Sequence, residues 1–294
     1  DLLFSQPIPV STTGFSEIET NLAEIENSGI EANLSYRIIN NKNMVWSVNA
    51  NITTLNNEIT DLPVEFVQNG TKRFEVGVDR YQYYIQEFAG VDEETGAPLW
   101  YRDVLDSEGN PTGERETTSV YSQADRYRLG SSMEDFYGGF GTNLNYKGFD
   151  FQMIWSYKVG GKIYDFTKSA IMHMGATPGQ QLSKEVLDAW TPNNTQTNVP
   201  RFGISNSDNF NSTSSRFLYD GDYLRLKNLT LGYTVDQDLI SRFGVRNLRV
   251  FVTGENLLTF AAYDGIDPEL PRSGNTNNIF PASRTITGGI NLGF

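Results

Sequence analysis

The stretch YGGFGTNLNYKGFDFQMIWSYKVGG, residues 137–161, decides the fold. Every second residue from Phe149 to Tyr157 is aromatic or methionine, and the residues between them are mostly polar. The matching set before the turn is Thr142, Leu144 and Tyr146. Because the side chains of a strand alternate between two faces, the pattern predicts two antiparallel strands joined by a tight turn at Lys147-Gly148.

The same alternation recurs in other parts of the sequence. Residues 29–40, GIEANLSYRIIN, and residues 44–56, MVWSVNANITTLN, flank the polar turn NNKN and predict a second hairpin. A third hairpin is predicted where residues 222–235, DYLRLKNLTLGYTV, precede residues 248–260, LRVFVTGENLLTF. The chain ends on another alternating run, TITGGINLGF, residues 285–294. The sequence therefore predicts an all-β, antiparallel protein.

Three local features interrupt this pattern. Leu224 and Leu226 share one parity whereas Leu229 and Leu231 take the other, which predicts a β-bulge near Lys227-Asn228. Residues 236–247, DQDLISRFGVRN, are compatible with one short helical turn. The stretch QLSKEVLDAW, residues 181–190, has apolar residues at helical spacing before TPNN and predicts a helix inside a long loop.

Composition narrows the functional classes. The 294 residues carry 36 acidic and 23 basic side chains, and the net charge of −13 argues against a nucleic-acid partner. Cysteine is absent, which excludes disulfides and cysteine nucleophiles. No apolar run approaches the roughly 18 residues of a membrane-spanning helix. The first residues carry no signal-peptide pattern, so we expect the sequence to be part of a longer protein.

A membrane barrel and a soluble β-sandwich both explain alternating strands. Two observations favour the barrel. Aromatic residues lie near predicted strand ends, as in the aromatic girdles of outer-membrane barrels; they are Tyr36, Trp46, Tyr146, Trp155, Tyr157 and Tyr233. The connections between the predicted strands also differ in length, and the short turns are at 40–43 and 147–148. The long polar connections are 56–78, 90–136, 161–214 and 260–282. Short turns at one end and long loops at the other are typical of outer-membrane barrels.

Six separated motifs, read together, resemble one family. They are NSGIEANLSY (27–36), AGVDEETGAPLW (89–100), WTPNNTQTNVPR (190–201), DGDYLRLKNLTLGYTV (220–235), GVRNLRVFVTGENLLTF (244–260) and YDGIDPE (263–269). These motifs, in this order along the chain, resemble the carboxy-terminal barrel portion of the SusC/RagA family of TonB-dependent outer-membrane transporters, typical of Bacteroidota. The resemblance covers almost the whole chain. It implies a location in the cell outer membrane.

The resemblance also implies a barrel of about 22 strands that surrounds an amino-terminal plug. The present chain has room for about ten strands of about ten residues with long extracellular loops. We therefore expect residues 1–294 to be the carboxy-terminal part of the transmembrane barrel, with the plug and the first part of the barrel absent. The family implies four partners: a SusD-like surface lipoprotein over the extracellular mouth, TonB through the missing amino-terminal part, the remainder of the same barrel, and outer-membrane lipid.

The last strand carries a further expectation. In outer-membrane barrels the carboxy-terminal strand is presented to the assembly machinery, and its recognised pattern resembles Thr287, Gly289, Leu292 and Phe294 in this sequence. Phe294 would face lipid at the barrel rim. A terminal antiparallel strand of any protein alternates as well, so the assembly-signal interpretation depends on the family resemblance.

The search for catalytic and metal sites is mostly negative. His173 lies in KSAIMHMG without a serine or carboxylate at catalytic spacing, and we expect it to be structural. Two acidic clusters have the oxygen ligands that calcium prefers, but they lie at turn-forming Gly and Pro residues and lack EF-hand spacing. They are Asp92, Glu93, Glu94 and Asp264, Asp267, Glu269. We expect no cofactor and no enzymatic activity, with a structural calcium ion as the alternative.

Ligand binding is the remaining function class. Aromatic loop residues beside carboxylates and amides suit sugar rings or peptide side chains. The candidates are Tyr81, Tyr83, Tyr84, Trp100, Tyr101 and Tyr121, together with Tyr127, Phe136 and Tyr137. The alternative is that these rings pack the loops together or against the lipoprotein.

These observations and the resemblance support TonB-dependent import of a bulky nutrient, an oligosaccharide or a peptide. Two other functions remain open at this point. The barrel could be a scaffold or subunit of an envelope assembly complex, or the chain could be a soluble secreted β-sandwich that binds glycans.

Overall fold

A computed structural model describes residues 2–7, 10–14, 16–203, 208–276 and 280–294. The described strands are β1 Leu2–Pro7, β2 Glu17–Asn40, β3 Met44–Asp61, β4 Val67–Asn69, β5 Lys72–Phe74, β6 Gln82–Gln86, β7 Phe88–Val91, β8 Pro98–Leu105, β9 Pro111–Thr118, β10 Arg126–Ser131, β11 Phe136–Tyr146, β12 Phe149–Val159, β13 Lys162–Tyr164, β14 Leu218–Asp220, β15 Tyr223–Thr234, β16 Asn247–Ala261 and β17 Thr285–Gly293. Strands dominate the fold, as predicted.

Helices are few and short in the described ranges. The α-helices are α1 Val10–Thr13, α2 Phe166–Ile171 and α3 Gln237–Ile240. The 3₁₀ helices are Tyr121–Gln123, Lys184–Asp188, Ser215–Phe217 and Ser241–Phe243. No helix in these ranges is both long enough and apolar enough to span a membrane. The helical turn predicted for 236–247 is confirmed by α3. The helix predicted for 181–190 is wrong in type, because only a five-residue 3₁₀ helix forms there, capped by the Ser183 side chain.

Eight strands form one antiparallel sheet, which we call the wall. Their order is β1-β2-β3-β11-β12-β15-β16-β17. Strands that pair in the wall therefore also follow one another along the chain, except where a long connection with its own short strands lies between them. All three predicted hairpins are present in the predicted pairing. Strands β11 and β12 are 11 residues long, which matches the 9–11 residues of a tilted membrane-spanning strand. The wall has eight strands where about ten were expected. The other nine described strands are short and lie in the long connections.

The two ends of the wall differ. At one end, which we call the turn end, the connections are 41–43, 147–148 and 235–246. At the other end, the loop end, residues 62–135, 160–222 and 262–284 connect the strands of the wall. This arrangement confirms the predicted asymmetry between short turns and long loops.

The predicted bulge lies in β15 at Lys227. In the pairing with β12, Ile154 lies opposite Asn228 and the next residue, Trp155, lies opposite Leu226. Lys227 therefore has no residue opposite it on β12. The pairing of β15 with β16 skips the same residue. An inserted residue moves the following side chains to the other face, so Leu226 and Leu229 lie on one face despite their opposite parity.

The two faces of the wall have opposite chemistry. The apolar face exposes large side chains to the surroundings, including Leu34 (63%), Phe149 (57%), Val252 (45%) and Ile290 (68%). The polar face carries amides, hydroxyls and a pair between Arg249 and Asp150. In a β-sandwich a second sheet would cover the apolar face. No second sheet covers these side chains among the described residues, which argues against the soluble β-sandwich alternative.

We call the three long connections together the loop assembly. The hydrophobic core lies outside the wall, in two of these connections, 62–135 and 160–222. Its buried cluster comprises Tyr83, Ile85, Tyr164, Met172, Met174, Val186, Ala189, Phe210 and Phe217. A four-stranded sheet (β10-β6-β5-β4), a three-stranded sheet (β7-β8-β9) and a pair (β13-β14) frame this cluster. The long connections therefore form a packed structure with its own core, where the sequence predicted polar loops.

The residues predicted as an assembly signal lie on β17 and just after it. Thr287 pairs with Thr253, and Gly289 lies opposite Phe251. The apolar positions Leu292 and Phe294 are exposed by 50% and 76%. A Cβ atom at Gly289 would lie 2.5 Å from the Phe251 ring, so the ring occupies the space that a side chain would need.

Gly289→Val is expected to destabilise the wall by about 1–3 kcal/mol, since the added side chain overlaps the Phe251 ring. Gly288→Val is the matched control, because a Cβ there meets nothing closer than the Phe251 carbonyl oxygen at 3.9 Å. The urea midpoint of tryptophan fluorescence of the refolded protein in detergent would measure both. Equal losses from the two variants would contradict this packing.

Candidate functional site

The aromatic residues proposed as ligand contacts separate into buried and accessible groups. Tyr83 and Trp100 lie inside the loop assembly with 0% and 1% exposure, so they pack the loops and offer no face to a ligand. The Tyr121 hydroxyl donates to the carbonyl of Thr213 at 2.7 Å, and its ring packs edge-on against Trp100. The remaining candidates are partly exposed: Tyr81, Tyr84, Tyr101, Tyr127, Phe136 and Tyr137.

A partly buried ion network joins the connection 262–284 to the wall. The Arg225 side chain in β15 is 4% exposed and its Nη2 lies 2.6 Å from Oδ1 of Asp267. Its Nη1 contacts Glu269 at 2.7 Å, and Lys227 contacts the same carboxylate at 2.7 Å. We call these four residues the clamp. Lys227 is the bulged residue of β15, so the bulge allows a cation there to reach the same carboxylate as Arg225.

Asp267 is held in its charged form. Burial alone would raise the pKa of Asp267, but hydrogen bonds from Arg225 and from the backbone N–H groups of Ala282 and Glu269 outweigh burial and lower that pKa. Asp267 and Glu269 therefore neutralise Arg225 and Lys227. In the described part of the chain no group of three or more Asp, Glu or His side chains is arranged to hold a metal ion.

Two further motifs, AGVDEETGAPLW and WTPNNTQTNVPR, meet in the loop assembly. The Trp190 ring covers Gly96, where a Cβ would lie 2.5 Å from the ring. Gly96 has φ +72°, a conformation that favours glycine. The Trp190 indole donates to the Glu93 carbonyl, and Arg201 donates to the Thr95 carbonyl. These contacts join residues about a hundred positions apart.

The acidic cluster at 92–94 forms the turn between β7 and β8. The Asp92 carboxylate accepts hydrogen bonds from the backbone N–H of Glu94 and of Thr95 and from the Thr95 hydroxyl. These bonds lower the pKa of Asp92, with the bond from the Thr95 N–H the largest cause. The turn predicted for this cluster is present.

His173 is 2% exposed and belongs to the packing of the loop assembly. Its Nδ1 accepts a hydrogen bond from the Thr177 N–H at 3.1 Å. The ring therefore helps to hold the turn after α2. This agrees with the structural role expected for His173.

Lys72 is a buried amine in the four-stranded sheet. Its Nζ donates to the Tyr81 carbonyl and to the Ser132 hydroxyl, and it lies 3.0 Å from the centroid of the Tyr83 ring. Burial lowers the pKa of Lys72 from 10.5 to about 6, although Asp79 acts in the opposite direction. The amine is therefore mostly neutral at pH 7.

The loop assembly is expected to gain stability as the pH rises above about 6. Between about pH 6 and 10.5 the unfolded chain binds a proton at Lys72 that the folded chain lacks. A rise in pH disfavours this protonated unfolded chain, so the free energy of unfolding increases. Lys72→Met should remove this contribution, whereas Lys184→Met, at an exposed site, should retain it. Urea midpoints from pulse proteolysis at pH 6 and pH 9 measure the difference. An unchanged pH dependence in Lys72→Met would contradict the buried, neutral amine.

Clefts open in the described part of the loop assembly, and two of them have mixed polar and aromatic linings. The larger, about 590 Å³, adjoins the clamp and includes Tyr263, Asp264 and Phe280. The smaller, about 390 Å³, lies between β7 and the second long connection. It is lined in part by Phe88, Lys168, Glu185, Arg216, Phe217 and Tyr219. Both clefts are of a size that holds small ligands or parts of larger ones.

Known proteins share this sequence and fold. No protein-family model matches the chain. TonB-dependent receptor P3 of Formosa agariphila is 32% identical over 320 aligned residues, which cover 100% of this chain and 31% of the receptor. TonB-dependent receptor SusC of Bacteroides thetaiotaomicron is 26% identical over 100% of this chain and 29% of that protein. A solved structure of the RagAB peptide transporter superposes with a TM-score of 0.81 and 28% identity over 99% of this chain and 32% of that chain.

The chain is similar to one part of the SusC/RagA-like TonB-dependent transporters. It spans about a third of the length of the relatives it matches, 31% of receptor P3. The predicted resemblance is confirmed, and so is the fold: the SusC/RagA-like chain forms part of an antiparallel barrel, consistent with the carboxy-terminal part. The relatives are named receptors and transporters, which supports a non-enzymatic role.

The SusC/RagA-like motifs also gain a physical explanation. The motifs DGDYLRLKNLTLGYTV and YDGIDPE supply both sides of the clamp, because Arg225 and Lys227 come from the first and Asp267 and Glu269 from the second. Sequence reasoning considered the acidic residues for calcium and missed their basic partners. The signal was present in β15, where two cations lie two residues apart beside the predicted bulge.

Proposed function

We propose that the complete protein imports a bulky nutrient, an oligosaccharide or a peptide, across the outer membrane with energy supplied through TonB. The observation that carries the proposal is the 0.81 TM-score to the RagAB peptide transporter over 99% of this chain. The apolar face of the wall would lie against lipid and the polar face would line the interior of the barrel. The two faces of the wall thus fit an outer-membrane location.

The similarity to SusC and to the RagAB transporter supports the following partners. The loop assembly would meet a SusD-like surface lipoprotein at the extracellular mouth, and TonB would act through an amino-terminal part outside this chain. The edge strand β17 would pair with the remainder of the barrel, because an unpaired strand edge is costly in lipid. Thr287, Gly289, Leu292 and Phe294 would serve as the assembly signal. A structural calcium ion in the loops remains a proposal as well.

An uptake experiment tests the function. Cells that lack the gene should lose uptake of one labelled nutrient pool, either peptides or oligosaccharides, and reintroduction of the gene should restore it. A protonophore should abolish the restored uptake, since TonB-dependent import needs the proton gradient. Unchanged uptake after deletion would contradict transport and favour the scaffold function. Mass spectrometry of the purified complex would identify the lipoprotein and any bound ligand.

A further inference from the structure

Arg216 occupies an unusual position in the loop assembly. It belongs to the 3₁₀ helix Ser215–Phe217, which is tied to β7 because the Phe88 N–H donates to the Ser215 hydroxyl at 2.8 Å. The Arg216 Nη1 donates to the Phe210 carbonyl at 2.8 Å. Its Nη2 is shielded from water and has no hydrogen-bond partner. Burial lowers the pKa of Arg216 to about 10, so the side chain stays charged at neutral pH.

In the clamp, by contrast, the buried guanidinium of Arg225 has carboxylate partners. Arg225 has two carboxylates, Asp267 and Glu269, within 2.7 Å. Arg216 makes no ion pair with any residue that the structure describes. A guanidinium shielded from water without a carboxylate in direct contact is costly, although the Glu185 carboxylate also lines the cleft, and a shielded donor without an acceptor adds to that cost. The missing partner of Arg216 is therefore a candidate for a carboxylate that comes from outside the chain.

The smaller cleft borders this arginine and has matching chemistry. Lys168 contributes a second cation, paired with Glu185 at 2.8 Å. Two cations against one carboxylate leave the described lining positive, although this chain of 294 residues carries a net charge of −13. Phe88 and Phe217 supply apolar surface, with ring centroids 5.5 and 5.4 Å from the Arg216 Cζ. The cleft thus offers positive charge beside aromatic rings.

We propose that this cleft binds a carboxylate group of the transported ligand, with Arg216 as its counter-charge. The inference rests on the proposed import function and specifies one group on the ligand. The volume of about 390 Å³ accommodates a terminal residue or a sugar ring with its carboxylate, not a whole oligomer. Because Nη2 is covered, a side chain of the cleft must swing aside for the ligand oxygen to reach it.

The test compares acids with blocked forms that lack the charge. The complete transporter with its lipoprotein is titrated calorimetrically in detergent with an apolar hexapeptide bearing a free terminal carboxylate and with its terminal amide. A second pair is trigalacturonate and its methyl ester. The acid of one pair should bind at least about ten-fold more tightly than its blocked form, because a charge-assisted hydrogen bond is lost. The pair that discriminates identifies the source of the carboxylate.

Variants locate the discrimination. Arg216→Gln should reduce the acid preference to within about two-fold, whereas Arg126→Gln, at an exposed site of the loop assembly, should leave it intact. Glu185→Gln should strengthen binding of the acid several-fold, because it removes the competing carboxylate. A gain of affinity cannot arise from misfolding.

Equal binding of acid and blocked form in both pairs overturns the inference, as does a preference that Arg216→Gln retains. Either result leaves the import function standing if gene deletion still abolishes uptake, so the two failures are distinguishable.

Discussion

Replacement of Arg225 with alanine is expected to destabilise the protein by about 3–5 kcal/mol, because it leaves the buried Asp267 carboxylate without its counter-charge. Glu269 keeps Lys227, whereas Asp267 keeps only backbone donors, from Ala282 and Glu269. The connection 262–284 should therefore detach from β15. Limited proteolysis should cut within 262–284, and the urea midpoint of the refolded protein should fall.

Arg102→Ala provides the matched control for Arg225. Its pair with Glu116 has a similar distance, 2.7 Å, but the two side chains are 36% and 49% exposed. Solvent screens such a pair, so its loss should cost less than about 1 kcal/mol. If Arg225→Ala behaved like Arg102→Ala, the clamp would not hold the connection.

Leu34→Arg is expected to impair membrane folding by about 2–4 kcal/mol, because it puts a cation on the apolar face near the middle of the bilayer. Leu34 lies in β2, seven residues before the start of the turn at residues 41–43. With a rise of about 3.3 Å per residue and a strand tilt of about 40°, it lies about 18 Å from that turn along the barrel axis. This is close to the centre of a hydrocarbon layer about 30 Å thick. The measurement is the folded fraction of the complete protein after refolding into lipid vesicles, over a urea series.

Ser35→Arg is the control for Leu34→Arg because its side chain points to the opposite face of β2. An arginine there would enter the polar interior of the barrel, and folding should be nearly unchanged. A larger loss from Ser35→Arg than from Leu34→Arg would reverse the assigned faces.

The wall could be predicted from the sequence because its signal is local. Alternation between neighbouring residues determines the faces, and the short turns determine which strands pair, as in β11 and β12. The bulge at Lys227 was visible for the same reason, since the parity of the leucines changes across it. The resemblance then placed these strands in a barrel.

The loop assembly could not be predicted because its contacts join distant residues. Trp190 packs over Gly96, and Tyr83 donates to the Gly274 carbonyl 191 residues away. Neither contact has a periodic pattern in the sequence. Aromatic residues such as Tyr83 and Trp100 therefore looked available to ligands, although they are core residues. The spacing of the apolar residues in 181–190 suggested an α-helix. The structure has a short 3₁₀ helix there instead, and Val186 and Ala189 belong to the buried cluster.

The central claim is that neighbouring side chains of the wall point alternately into lipid and into a hydrated interior. Leu231 and Val252 are paired on the apolar face, and the adjacent Thr230 and Thr253 are paired on the polar face, with their hydroxyls 3.0 Å apart. This chain has no cysteine, so single cysteines at these four positions can be spin-labelled selectively.

The most direct measurement is the accessibility of these spin labels in lipid vesicles to oxygen, which concentrates in lipid, and to a water-soluble nickel complex. Labels at positions 231 and 252 should collide mainly with oxygen, and labels at 230 and 253 mainly with the nickel complex. The same accessibility at all four positions, or the reverse order, would contradict the account.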